Sequence, residues 1–196
     1  EFRRVLFRSL QHRGEGGVRP RLLDLFCCAG GAGMGYHRTG FDVIGVDIKP
    51  QPRYPFAFIQ ADVMALDDRF LRFFDAIHAS PPCQGYTEMR APGTIGAPKL
   101  IDPLRRKLDA TGLPYIIENV DGARWDMKNP VTLCGSMFGL GAQGHDLLRH
   151  RLFEASFPLL APECRHSDRP VIGVYGGHAR RRSAKHGGRG TRDIWE

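Results

Sequence analysis

The sequence predicts a doubly wound, mostly parallel α/β sheet. Short apolar runs alternate with glycine-rich or helical stretches, so successive strands are separated by crossovers. Four successive runs end on a polar residue, at the edge where an open parallel sheet keeps its ligands. The 196 residues suffice for one domain with a sizeable core.

Taken in order, Arg21 to Phe26 (RLLDLF) reads as the first strand. The turn Ala29-Gly30-Gly31-Ala32-Gly33 follows, then a short helix to about Thr39. Val43 to Val46 is the second strand and ends on Asp47; Phe56 to Gln60 is the third and ends on Asp62. Ala76 to Ala79, the fourth, runs into HASPPCQGYT (78–87), where Pro81 and Pro82 stiffen the backbone before Cys83. Leu100 to Ala110 reads as a helix, with Leu100, Leu104 and Leu108 on one face against Arg105, Arg106 and Lys107. Gly112 stops it, and Tyr115 to Ile117 is a fifth strand ending on Glu118-Asn119. Val131 to Cys134, Arg151 to Ala155 and Val171 to Tyr175 are weaker strand candidates. Residues 87–98 (TEMRAPGTIGAP) read as a long loop just after Cys83.

The first nine residues, EFRRVLFRS, match the translation of a common sequencing-adapter primer and are set aside from fold reasoning. The formal charge is +7, and six cations cluster near the end at Arg180, Arg181, Arg182, Lys185, Arg189 and Arg192. Such a chain favours polyanions, although a solvated cationic tail accounts for the cluster equally well. No apolar run approaches 18 residues and no signal-peptide pattern is present, so a soluble, cytosolic protein without membrane contact is expected. The five cysteines, Cys27, Cys28, Cys83, Cys134 and Cys164, form no C-x-x-C pair, which indicates neither a disulfide framework nor a tetrahedral zinc site. Cys164 and His166 make a lone C-x-H, read as a surface turn, and no metal is expected.

The turn after strand one lets a backbone approach a cofactor closely, and the acid ending strand two can accept hydrogen bonds from ribose hydroxyls. Its spacing misses G-x-G-x-x-G, because Ala32 stands where the second glycine would fall; an adenosine cofactor other than a dinucleotide is favoured. Cys83 and Glu118 define the chemistry. A thiolate can add to an electrophilic carbon, and a nearby carboxyl can hydrogen-bond or protonate a ring nitrogen. Cytosine C5 is too poor a nucleophile to take a methyl group directly, but thiolate addition at C6 turns it into an enamine. The pair therefore suits methylation of a pyrimidine carbon.

The chain resembles the catalytic core of the C5-cytosine-specific DNA methyltransferases, and the small phage-type forms among them. DLFCCAGGAGMG (24–35) resembles the family's first motif, GVDI (45–48) the second and QADV (60–63) the third. SPPCQGYT (80–87) resembles the fourth, ENV (118–120) the sixth and RHRLF (149–153) the eighth. They run in the family's order over residues 21–156, and PCQ with ENV is the specific pair.

The resemblance implies a Rossmann-like S-adenosylmethionine-dependent methyltransferase fold, S-adenosyl-L-methionine as cofactor and double-stranded DNA as partner, with a monomer favoured. Phe26, Gly30 and Gly31 would line the cofactor pocket, with Asp47 and its neighbour Ile48 at the ribose and Asp62 at the adenine amino group. Pro82 would shape the turn presenting the nucleophile Cys83, and Glu118 would contact N3 and the exocyclic amine of the cytosine. Asn119 would hold the loop, Arg151 would bond the cytosine carbonyl, and Arg149 is its companion in the arginine motif. The base must leave the duplex to reach such a pocket, with the 87–98 loop as its cover.

Cys28 departs from the family, standing where a glycine is usual, and Leu147 replaces a glutamine before the arginines. The expected organisation is a core over 10–160 and a basic segment over 161–196, a partial target-recognition region, with truncation expected after it. His78, inside a strand, reads as a satisfied core histidine. A zinc cytidine deaminase would need H-x-E and P-C-x-x-C, whereas the chain has HAS and PCQGY. A non-catalytic nucleic-acid-binding fragment and a transfer-RNA cytosine methyltransferase remain the alternatives.

Overall fold

A computed structural model describes residues 19–87, 96–142 and 144–171. The chain divides into two compact units, Glu1–Lys128 with Glu154–Pro158 and Asn129–Phe153 with Leu159–Glu196. The sequence reading sets a core over 10–160 and a basic segment over 161–196.

The first unit is built on β1 (Arg21–Leu25), β2 (Asp42–Asp47), β3 (Ala57–Gln60), β4 (Ala76–Ala79) and β5 (Tyr115–Asn119), in the order β3-β2-β1-β4-β5. All four pairings are parallel. Strand order reverses between β1 and β4, the switch point at which a doubly wound sheet opens a crevice beyond its carboxyl ends. This is the predicted fold class, and the strand runs are short and apolar because most of the sheet is covered. Leu22, Leu23, Leu25, Ile44, Val46, Ile77 and Ile117 are all essentially buried.

Helix α1 (Gly31–Arg38) follows β1. The short helix α2 (Asp68–Leu71), which periodicity does not reveal, is started by Asp67, whose Oδ1 accepts from the Arg69 and Phe70 amides at 2.6 and 3.1 Å. Helix α3 (Ile101–Asp109) buries Leu104 and Leu108 as the leucine spacing predicts, but Leu100 stands at its N-cap and is only half-buried, and Ile101 takes the buried place in the first turn.

Arg105 corrects the reading of the opposite face of α3, because it is 3 % exposed. Its guanidinium forms a fork on the buried Glu154 carboxylate, Nε to Oε1 and Nη2 to Oε2, the second at 2.7 Å. Nη2 also donates to the Asp126 carbonyl at 2.6 Å, and the Lys128 amide donates to Glu154 Oε2 at 2.7 Å. The helical period cannot distinguish a solvated arginine from one whose carboxylate lies 49 residues away in sequence.

The second unit holds β6 (Val131–Leu133), the two-residue strands β7 (Gly141–Ala142) and β8 (His145–Asp146), and the opening residues of β9 (Arg151–Ala155). β6 pairs antiparallel with β9, Val131 opposite Phe153 and Leu133 opposite Arg151. The expected strand at Val171 to Tyr175 is represented by a bridge from Val171 to Asp146, and residues 172–175 lie outside the described residues. No helix among the described residues is long and apolar enough to cross a membrane.

Candidate active site

The carboxyl edge of the first unit's sheet is assembled from three turns. Parallel pairing continues one step past the strands: the Cys27 amide donates to the Val46 carbonyl at 3.1 Å and the Ser80 amide to the Leu25 carbonyl at 3.1 Å. The turn after β1 is therefore clamped to both neighbours of its strand. Within it Phe26, Cys28 and Gly30 take positive φ of 57°, 46° and 86°. Two of these are not glycine, each costing on the order of 1–3 kcal/mol. The left-handed backbone at Cys28 explains why a glycine is at home there.

Asp47, nearly buried at the end of β2, faces this turn. Its Oδ2 accepts from the Cys28 amide at 3.1 Å and its Oδ1 from the Lys49 amide at 3.0 Å. Those bonds fix the carboxylate's orientation and leave lone pairs on both oxygens. Beside it Ile48 is 60 % exposed, an apolar surface at the mouth of the turn. Asp62, exposed, begins the 3₁₀ turn Val63–Ala65 and accepts from the Met64 amide at 2.8 Å.

The glycines divide their work. A Cβ on Gly31 would meet nothing within 4 Å, so this position opens on free space. A Cβ on Gly30 would lie 2.7 Å from Pro55 Cδ and 3.0 Å from the Tyr54 ring, and one on Gly45 would lie 2.3 Å from that ring. Gly30 and Gly45 thus make room for Tyr54, which the sequence left without a role.

Tyr54 donates through its hydroxyl to Asp24 Oδ2 at 3.0 Å. Asp24, next to last in β1 and 1 % exposed, is signalled in the sequence only as a lone acid inside an apolar strand. Burial pushes its carboxyl up to about 7, against the Tyr54 and Gly33 hydrogen bonds, which favour the charged form.

On the other side of the switch point, β4 runs through Ser80 into the prolines. Pro82, at φ −49° and ψ 127°, precedes the 3₁₀ turn Cys83–Gly85. The Tyr86 and Thr87 amides donate to the Cys83 carbonyl at 2.9 and 3.1 Å. Buried Tyr86 anchors the turn, its hydroxyl accepting from the Ile101 amide at 3.0 Å. A Cβ on Gly122 would approach the Tyr86 carbonyl to 2.2 Å, so glycine is required after ENV for the two turns to close on one another.

β5 lies next to β4 with Ala79 opposite Ile117, which brings Glu118 level with Ser80 and Asn119 level with Pro81. Asn119 is 2 % exposed, and its Nδ2 donates to the Pro81 carbonyl at 2.9 Å. Its Oδ1 accepts from the Val120 amide at 2.9 Å. One buried amide therefore fastens the end of β5 to the proline turn. Cys83 and Glu118 are both half-buried.

His78, fully inside, stands between the Tyr36 hydroxyl, 3.1 Å from Nδ1, and the Ser80 hydroxyl, 2.9 Å from Nε2. Burial lowers its pKa to about 4, so it is a neutral core histidine.

Arg149 and Arg151 belong to the second unit, both half-buried, with Arg151 Nη1 donating to the His150 carbonyl at 2.8 Å. That unit also gathers a side-chain cluster that the sequence reading does not contain. Cys164 and His166 do not form an isolated turn: Cys134 and His150 join them, with one ligand atom of each of the four within 4.8 Å of every other. No spacing rule links positions 134, 150, 164 and 166, so only the fold reveals the set. The cationic cluster from Arg180 to Arg192 and the 88–95 part of the covering loop lie outside the described residues.

No protein-family model matches the chain, and no curated protein matches it in sequence. Among solved structures it is similar to a mutant DNMT2 of Spodoptera frugiperda, with 19 % identity over 79 % of this chain and 55 % of that one and a TM-score of 0.47. It is similar to Dnmt2 methyltransferase of S. pombe, with 16 % identity over 70 % and 50 % of the two chains and a TM-score of 0.46. A third is a SAM-dependent methyltransferase of Agrobacterium tumefaciens, at 16 % identity over 79 % and 61 % and a TM-score of 0.43. The chain thus spans 55 %, 50 % and 61 % of the lengths of these structures. Similarity at this level does not bear on function, and the fold rests on the strand order itself.

Proposed function

We propose that this chain is the core of an S-adenosylmethionine-dependent methyltransferase that modifies C5 of cytosine in DNA. The observation that carries the reading is the Asn119 bond to the Pro81 carbonyl. It joins the PPC turn and the ENV strand end across two adjacent parallel strands, so a thiol and a carboxyl share one edge of the sheet beside its switch point.

The residues across β1 and β2 fit the cofactor. Asp47 holds a carboxylate with fixed orientation and spare lone pairs for ribose hydroxyls, Gly31 leaves open space, and Ile48 offers an apolar face. Phe26 and Asp62 complete the set on the neighbouring turns. When bound, S-adenosylmethionine supplies an electrophilic methyl group.

The protein's own part begins with the Cys83 thiolate, which adds to C6 of a cytosine taken out of the stack. Glu118 gives its carboxyl proton to N3 and accepts from the exocyclic amine, so the negative charge that this addition pushes into the ring is neutralised at N3, and the proton returns to Glu118 when the ring is restored. C5 becomes nucleophilic and accepts the methyl group. A base then removes the C5 proton, and the Cys83–C6 bond breaks to restore the aromatic ring and the thiolate. Pro82 and Asn119 position the nucleophile without touching the base. Arg151, with Arg149 as its companion in the arginine motif, is proposed to bond the cytosine carbonyl, and the chain's positive charge suits a duplex partner.

The test uses the full chain, S-adenosylmethionine and duplex DNA carrying 5-fluorocytosine. Fluorine blocks the final proton loss, so the methylated product stays bonded to Cys83. The expected result is a denaturation-resistant protein–DNA adduct that is absent in Cys83→Ser. No adduct with duplex DNA, but one with 5-fluorocytosine transfer RNA, would replace DNA by RNA as substrate. No adduct with either would refute the nucleophile assignment.

A further inference from the structure

We propose that the second unit carries a structural tetrahedral metal site of Cys2His2 composition, with zinc as its ion and Cys134, His150, Cys164 and His166 as its ligands. The first pair of ligands follows from strand register. β6 and β9 are antiparallel with Leu133 opposite Arg151, so one step further Cys134 stands opposite His150 at the open end of the ribbon. Directly opposed residues in such a pair hold their Cβ atoms about 5 Å apart on one face. The second pair is Cys164-x-His166, whose Sγ and Nε2 are 3.1 Å apart.

The two pairs interlock. Cys134 Sγ lies 3.7 Å from His166 Nε2, and Cys164 Sγ lies 3.4 Å from His150 Nε2. Zinc–sulfur bonds of about 2.3 Å and zinc–nitrogen bonds of about 2.05 Å at tetrahedral angles require S···N edges of about 3.6 Å. The three contacts bracket that value. Two thiolates and two imidazoles are the soft and borderline donors that select zinc over hard cations, and four protein ligands leave no open position. The site is therefore structural. On binding, the two thiols release their protons to solvent and the ion's two charges are neutralised.

Two further features suit this role. The Ser136 hydroxyl donates to Cys134 Sγ at 3.3 Å, an outer contact of the kind that supports a ligating sulfur. Residues 160–171 are exposed throughout and contain no helix or strand beyond the Val171 bridge. A segment that buries so little apolar surface needs another source of order, and a metal cross-link supplies one. His150 stands between Arg149 and Arg151, so the same ion fixes the backbone of the run that carries both arginines.

The experiment measures metal in the full chain, purified under reducing conditions without chelator. One zinc per chain is expected. Cobalt(II) exchanged into the protein should give the intense visible bands of tetrahedral coordination together with thiolate-to-cobalt charge transfer. Cys164→Ser and His166→Gln, both at exposed ligands, should lose the zinc and the charge-transfer pattern or its tetrahedral form. Far-UV circular dichroism of these variants reports whether the parallel-sheet unit is still folded. Wild-type protein that takes up neither ion, full zinc retention by folded Cys164→Ser, or a Cys134–Cys164 disulfide in the unreduced chain would each overturn the proposal. None of these outcomes depends on methyl transfer, so they are separate from a failure of the adduct assay.

Discussion

Two buried titratable groups in neighbouring strands, Asp24 in β1 and His78 in β4, sit opposite one another in the parallel register and pull stability in opposite directions with pH. Asp24 is held at about 7 against an ordinary value of 3.8, and His78 at about 4 against 6.5. Between pH 4 and 7 the native chain keeps a proton on Asp24 that the unfolded chain has lost, so this group makes stability fall as pH rises. The whole effect is on the order of 4 kcal/mol. Between pH 6.5 and 4 the unfolded chain protonates His78 while the native chain does not. That group makes stability fall as pH drops, by about 3 kcal/mol over the interval. From pH 4 to 6.5 the two slopes, each about 1.4 kcal/mol per pH unit, nearly cancel.

Asp24→Asn keeps an acceptor oxygen for the Tyr54 hydroxyl and the Gly33 amide but removes the titration. Its stability, followed by urea unfolding across the pH range, should climb by about 3 kcal/mol from pH 4 to 6.5 as the His78 slope is unmasked. Above pH 7 it should exceed the wild type, because no charge is then buried in β1. His78→Gln should show the converse, a decline toward pH 7. Superimposable pH profiles for wild type and Asp24→Asn would refute the account of Asp24 as a carboxyl kept neutral by burial.

Glu154→Ala strands the Arg105 guanidinium in the interior and should cost about 3–5 kcal/mol in urea unfolding; replacing both partners by apolar residues should cost less than Glu154→Ala alone, and the reverse order would argue that the pair is not desolvated. Asn119→Ala releases the Pro81 carbonyl and should lower the rate of 5-fluorocytosine adduct formation by roughly a hundredfold through misplacement of Cys83. S-adenosylhomocysteine affinity should be nearly unchanged in that variant, and a parallel loss of affinity would make Asn119 a general scaffold residue instead of a positioning residue for the thiol.

What the sequence disclosed, and what it hid, divides by the range of the interaction. Strand runs such as Arg21–Leu25 and Ala76–Ala79 are legible because covering a parallel sheet forces a continuous apolar composition. The polar residues closing them, Asp47, Asp62, Cys83 and Glu118, are legible because each interrupts the apolar run where its strand ends. Asp24 and Tyr54 were missed because their meaning lies in each other. An acid within a strand is an anomaly until a tyrosine 30 residues away is seen donating to it. Arg105 was misread for the same reason, since helical spacing describes one helix and the partner on Glu154 belongs to another part of the chain.

The metal ligands carry this logic furthest. Local spacing rules recognise zinc sites whose ligands arrive in close pairs, and only Cys164-x-His166 has that form. The other pair is made by antiparallel register, which places Cys134 across from His150 although 16 residues separate them. A single-step slip of β6 against β9 would turn the two side chains to opposite faces and dissolve the set. The ligand geometry and the strand register therefore stand or fall together. A tetrahedral cobalt spectrum from this chain would be evidence for the pairing of β6 with β9 as much as for the ion.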